Sequence, residues 1–148
     1  MGLFKKNLIF DKKITERELR ELVKDKLDFP SQDCLHFADD WYWEVSPYNF
    51  REILKRYAPW WMKWKKNRRD CDDASKVFFG RWAKDYLIGK VSNEWGNLAI
   101  GDIWLYGLDY DHDTIVSAYR QELYVGEIKT LKVMVLPRKL YTTMVKFG

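Results

Sequence analysis

In "RRDCDDASKVFFGRW", residues 68–82, a cysteine stands among three aspartates directly behind a run of basic residues. The thiolate is the reactive form of cysteine, and the partial positive charge at a helix N-terminus favours it. Asp70, Asp72 and Asp73 act in the opposite sense, because nearby negative charge raises a thiol pKa. A nucleophilic Cys71 therefore needs a base. The chain has two histidines, His36 and His112, and His112 sits in "YDHDTIVSAYR" at the entry to an expected strand. If Arg120 and Gln121 form a two-residue turn, Tyr119 pairs with Glu122. Counting outward then sets His112 opposite Lys129, with Glu127 on the diagonal of the same face. That would assemble a nucleophile, a base and an orienting acid from separated segments. A small core residue beneath a helix start, or a metal ligand, are the other readings of Cys71.

Two further groupings carry chemistry. Cys34 and His36 in "DCLHFADD" could join Cys71 and His112 around zinc. Their Cys-x-His spacing lies outside the usual gaps of structural zinc pairs, and such a site would consume every cysteine and histidine of the chain. "WWMKWKKNRR" interleaves Trp60, Trp61 and Trp64 with Lys63, Lys65, Lys66, Arg68 and Arg69. Stacking rings among cations are how single-stranded nucleic acid is held. The same pattern also arises when tryptophans anchor a loop to the core and the long basic side chains stay solvated, or when cations draw an acidic protein toward Cys71.

Three helices must position these groups. Thr15 and Glu18 have capping-box spacing ahead of Leu19, Leu22, Val23 and Leu27. Ser46 caps a second helix with Pro47 in its first turn, a face of Phe50, Ile53, Leu54 and Tyr57, and a stop at Pro59. The third carries Ala74, Val77, Phe78, Trp82 and Leu87 at helical intervals up to Gly89, with Cys71 at or just before its first turn. From about residue 97 the period changes. "NLAIGDIWLYG", "DTIVSAYR", "ELYVGEIK" and "LKVMVL" read as a strand meander, so the class is α+β.

A length of 148 residues fits a single domain, 1–148, with a helical part over about 1–90 and a sheet part over about 97–148. The net charge of +4, from 26 basic and 22 acidic residues, permits a nucleic-acid partner without implying one. Aromatic residues make up 17% of the chain, eight of them tryptophans, which is enough to line a groove as well as fill a core. Two cysteines give no disulfide framework, and "MGLFKKNLIF" has too short an apolar run for export or membrane insertion. The expected location is the cytoplasm.

"DCDDA", the helix behind it, "GDIWLYG", a histidine about 40 residues downstream and a strand pair carrying a glutamate together resemble a known family. It is the papain-like cysteine hydrolase domains with an Asp-Cys-Asp-Asp signature, found in bacterial and phage proteins and in a mushroom agglutinin. The resemblance covers roughly residues 39–130, including "DDWYWEVSPYNFREIL". It implies a papain-like arrangement of N-terminal helices followed by an antiparallel meander. It further implies a small cysteine protease-like hydrolase acting on peptide or isopeptide bonds of a protein substrate, with Cys71 as nucleophile, His112 as base and Glu127 as orienter. Asp72 and Asp73 would help bind calcium, and Asn67, Trp41 or a backbone amide would supply the oxyanion hole. The alternative is a non-catalytic binding module of the same fold that holds nucleic acid or a protein through residues 60–69.

Overall fold

The computed structural model describes residues 8–65, 70–108, 110–137 and 139–148, and the side chains of these except at 108 and 110–112. Each expected helix forms for the expected local reason. Thr15 Oγ1 accepts from the Glu18 amide and Glu18 Oε1 from the Thr15 amide, which starts α1 at Glu16–Lys26. Ser46 caps α2, Pro47–Tyr57, with Pro47 in its first turn, and Pro59 follows its end. The third helix, α3, runs Cys71–Leu87, so Cys71 is its first residue.

The sheet is more complex than a meander. Strands β5 (Ile100–Leu108), β6 (Tyr110–Tyr119), β7 (Glu122–Gly126) and β8 (Val133–Val135) do pair consecutively and antiparallel. A last strand, β9 (Leu140–Phe147), lies antiparallel on the other side of β5. Beyond it, the short segments β2 (Leu27–Asp28) and β3 (Leu35–Phe37) pair with β9 in parallel. Residues 1–90 are thus not purely helical, and the sheet is mixed. A separate ribbon joins β1 (Lys13–Thr15) to β4 (Trp41–Trp43), and the Lys13 ammonium lies 4.2 Å from the Trp41 ring centre and 5.0 Å from that of Trp43. The coarse class is α+β.

The anticipated hairpin is present in its anticipated register. Tyr119 pairs with Glu122, and Arg120 and Gln121 adopt φ values of 48° and 63°, the left-handed pair that matches strand twist in a two-residue turn. The Glu44 carboxylate accepts from the Arg120 amide at 2.9 Å and holds this turn.

Alternation along the strands gives the sheet two faces. On one, Ile103, Leu105, Val116, Leu123, Val125, Val145 and Phe147 pack with Leu19, Leu22 and Val23 of α1. On the other, Ile100 and Ile115 pack with Phe50, Ile53 and Leu54 of α2 and with Ala74 and Phe78 of α3. Helices α2 and α3 are clasped together by charge. Asp85 Oδ2 accepts from Arg56 Nη2 at 3.0 Å and from the Tyr57 hydroxyl at 3.0 Å, while Arg81 Nη1 donates to the carbonyls of Tyr57 and Ala58.

Candidate functional site

Helix α3 begins against β6. The Asp113 amide donates to Cys71 Sγ at 3.4 Å, so Cys71 stands beside the strand that carries His112, one residue away. Strand β6 places the His112 backbone opposite Leu105, and its side chain lies outside the described residues. Glu127 does not sit in a paired strand as expected. The β6–β7 ladder stops at Ile115↔Gly126, and the Glu127 amide donates to the Lys132 carbonyl, so the chain turns toward β8 before His112 and Lys129 could face each other. The Glu127 carboxylate, half-buried, accepts from the Lys129 amide at 3.5 Å.

The surroundings of Cys71 favour the neutral thiol. Burial raises its pKa first, and the carboxyls of Asp113, Asp70 and Asp72 add to this against the lowering effect of the Asp113 amide. The N-terminal helix position is thus outweighed. The acidic residues serve the helix start instead: Asp73 Oδ2 accepts from the Asp70 amide at 3.5 Å, and hydrogen bonding to Asp70 raises the Asp72 carboxyl. The carboxylates of Asp70, Asp72 and Asp73 lie within 4.8 Å of one another.

Zinc ligation by the four Cys and His residues loses its basis in the fold. Cys34 and His36 sit at the β3–β9 end of the sheet, where His36 pairs with Lys146, whereas Cys71 lies against β6.

The basic, tryptophan-rich segment divides in two. Trp60 and Trp61 are 82% and 53% exposed. Met62 and Trp64 pack on the α2–α3 core, and the Lys129 ammonium sits 5.5 Å from the Trp64 ring centre. Lys63 and Lys65 are exposed, while Lys66, Asn67, Arg68 and Arg69 lie outside the described residues.

A different site emerges along α3. Phe79, Trp82 and Tyr86 follow one another at helical spacing and line a groove of about 520 Å³, closed by Trp95 and Gly96 of the turn at 93–97, by Leu98, Ile100 and Asp102 leading into β5, and by Lys146 of β9. Phe79 and Trp82 stack with centroids 5.9 Å apart. Gly96 lets the Tyr86 ring approach closely, since a Cβ there would stand 2.5 Å from its hydroxyl oxygen and push the ring aside. Lys76 and Lys146 bring positive charge to the lining.

The polar element of this groove is Asp102. Its Oδ1 is buried without a hydrogen-bond partner among the described residues, as are Trp104 Nε1 and Ser117 Oγ, which alternation places on the same face of the sheet. Buried polar atoms are nearly always paired, by protein groups or by ordered water. On β6, Asp113 lies diagonally across from Asp102. Burial, then the nearby Asp102 carboxyl, push the Asp113 carboxyl up to about 9, against a weaker contribution from Ser75, whose Oγ donates to Asp113 Oδ1 at 3.4 Å.

Sequence reasoning used Trp82 and Leu87 as marks of helical spacing and did not find the groove. Leu87 is 79% exposed. The available signal was the spacing of Phe79, Trp82 and Tyr86, which form an aromatic stripe beside the Ala74–Phe78 core stripe.

Comparison with solved structures locates the fold. One match is described as "PSL1a-E64 complex", with TM-score 0.71 and 17% identity over 91% of this chain and 51% of the other. Another is Polyporus squamosus lectin bound to the human-type influenza-binding epitope Neu5Acα2-6Galβ1-4GlcNAc, with TM-score 0.68 and 17% identity over 91% of this chain and 49% of the other. This chain therefore spans about half the length of the chains it matches. No family model and no curated protein sequence matches it.

At this identity the likeness carries the fold alone, and the fold is one found in a lectin. The expected membership in the papain-like cysteine hydrolases, and the protease-like activity drawn from it, are corrected accordingly. Burial and the neighbouring carboxyls raise the Cys71 thiol pKa. The partner named with the second structure is a glycan. No helix among the described residues is long and apolar enough to cross a membrane.

Proposed function

We propose that this chain is a non-catalytic binding module that takes a glycan in the groove between α3 and β5. The carrying observation is the combination in one concave site of an aromatic wall (Phe79, Trp82 and Tyr86) with polar lining from Asp102, Lys76 and Lys146. A sugar ring offers an apolar C–H face and a rim of hydroxyls. Aromatic faces take the first by burying it from water, and a fixed carboxylate takes the second as an acceptor. Likeness to a lectin structure bound to a sialylated trisaccharide supports the ligand class.

The test is titration of a glycan panel that includes Neu5Acα2-6Galβ1-4GlcNAc, read by tryptophan fluorescence and calorimetry. Binding to wild type should fall at least tenfold in Trp82→Ala and in Asp102→Ala, because a hydrogen bond to a charged acceptor contributes about 1.5–3 kcal/mol. A panel with no binder, or binding indifferent to both substitutions, would remove the proposal.

A further inference from the structure

Segment 60–65 presents a second surface, outside the lining of the groove. After α2 the chain turns, with the Trp60 amide donating to the Ala58 carbonyl and the Met62 amide to that of Pro59, each at 2.9 Å. Burial then alternates along the segment. Met62 and Trp64 are half-buried against the α2–α3 core, while Trp61, Lys63 and Lys65 are exposed. The inward pair pins the backbone, so the outward side chains are held on one side of it. Trp60, in the turn, is the most exposed large apolar side chain among the described residues. From the turn between β7 and β8, the exposed Lys129 brings its ammonium over the Trp64 ring and adds a further cation. Between Glu52 and Asp70 the sequence has no acidic residue to offset this charge.

We propose that this side docks on the surface of an anionic phospholipid bilayer, with Trp60 and Trp61 at headgroup level and Lys63, Lys65 and Lys129 over the lipid charge. An indole is an apolar ring with one polar N–H, and it prefers the boundary between acyl chains and headgroups to water. Buried apolar area and attraction to anionic lipid add, so the two rings and the cations beside them bind together where either alone is weak. Single-stranded nucleic acid would use the same residue types, but it is held in a charged groove that tracks its backbone. Here the two exposed rings stand on a turn and line none of the grooves along α3, α2 or α1. Attachment of this kind is peripheral and needs no spanning helix. It is independent of the glycan reading, whose groove shares none of these residues.

The experiment is sedimentation of the whole chain with synthetic vesicles that carry no sugar, made of phosphatidylcholine alone or with phosphatidylserine as a third of the lipid. Wild type should bind the anionic vesicles at least about tenfold more tightly than the neutral ones at low salt, and lose that advantage as salt rises. Replacing both Lys63 and Lys65 by glutamine should weaken binding about thirtyfold, since each cation near such a surface contributes about fivefold. The double variant Trp60→Ala/Trp61→Ala should bind at least about tenfold more weakly, because two large apolar side chains no longer leave water. It should also lose most of the quenching by brominated lipid that wild-type tryptophan fluorescence shows. All four side chains are exposed, so circular dichroism and urea unfolding of both variants should match wild type.

No vesicle binding by wild type, or equal binding to neutral and anionic vesicles, would overturn the inference. So would wild-type affinity in either variant, or quenching undiminished without Trp60 and Trp61. A single-stranded oligonucleotide or an acidic protein that binds while vesicles do not would overturn it in favour of that partner.

Discussion

Replacing Asp85 by alanine should loosen the wall of the groove by breaking the clasp between α2 and α3. Asp85 Oδ2 accepts from Arg56 Nη2 at 3.0 Å, from Arg56 Nε at 3.4 Å and from the Tyr57 hydroxyl at 3.0 Å. Both charged side chains are only 17% exposed. Removing one partner of a fully buried pair costs roughly 3–5 kcal/mol, because the other charge is left without compensation. Here the loss is smaller: Arg56 Nε retains the Tyr57 hydroxyl at 3.1 Å, and some water reaches the pair. A loss of about 2–3 kcal/mol follows, equivalent to a fall in Tm of roughly 5–10 °C for a chain of this size. Urea unfolding followed by circular dichroism measures it directly, and Asp85→Asn should fall between wild type and alanine, since the amide oxygen still accepts from Tyr57. Because Tyr86 adjoins Asp85 and lies against Gly96, glycan affinity should fall along with stability. An Asp85→Ala protein within about 0.5 kcal/mol of wild type would refute the idea that this pair holds α3 in place, since that is the scale of an exposed ion pair.

Alanine at both Trp60 and Trp61 should leave glycan affinity within about twofold of wild type, because these rings lie outside the groove lining; a large loss in the same titration would move the site to segment 60–65. Cys71, with its pKa raised by burial and by neighbouring carboxyls, should react with iodoacetamide more slowly at pH 7 than an ordinary thiol, of which only about 3% is ionised there; rapid alkylation of its peptide well below pH 8 would contradict the reading of this site as a neutral thiol. The Asp113 carboxyl binds a proton in the folded state that it loses in the unfolded chain above pH 4, so its contribution to stability is greatest in acid and declines as pH rises toward 9. Wild type should therefore lose urea stability between pH 5 and pH 9 more steeply than Asp113→Asn, and parallel curves would count against the raised carboxyl.

The parts legible in the sequence were those decided over a few neighbouring residues. Thr15 and Glu18, Ser46 and Pro47, and the turn at Arg120 and Gln121 each act within four residues, and each formed where its pattern placed it. Strands β2 and β3 are two and three residues long and owe their extended form to pairing with β9, more than a hundred positions away, so no local pattern announces them. The site was hidden for a related reason. Helical spacing identifies which side chains share a face but not whether that face meets a core or a cleft. The partners that make the α3 face a groove come from the turn at 93–97, β5 and β9. Cys71 illustrates the limit of motif chemistry: its helix-start position was read correctly, but the ionisation of its thiol depends on Asp113 and on burial, neither of which is adjacent in sequence.

The placement of β9 also has a consequence for biosynthesis. This strand leaves the ribosome more than a hundred residues after β2 and β3, yet it lies between them and β5, and its Val145 and Phe147 complete the layer that covers Leu19, Leu22 and Val23 of α1. During translation the apolar side of α1 therefore waits, unsealed, for more than a hundred residues. Closure of that layer is a long-range event, the kind that slows folding and leaves a nascent chain dependent on protection from aggregation until β9 arrives.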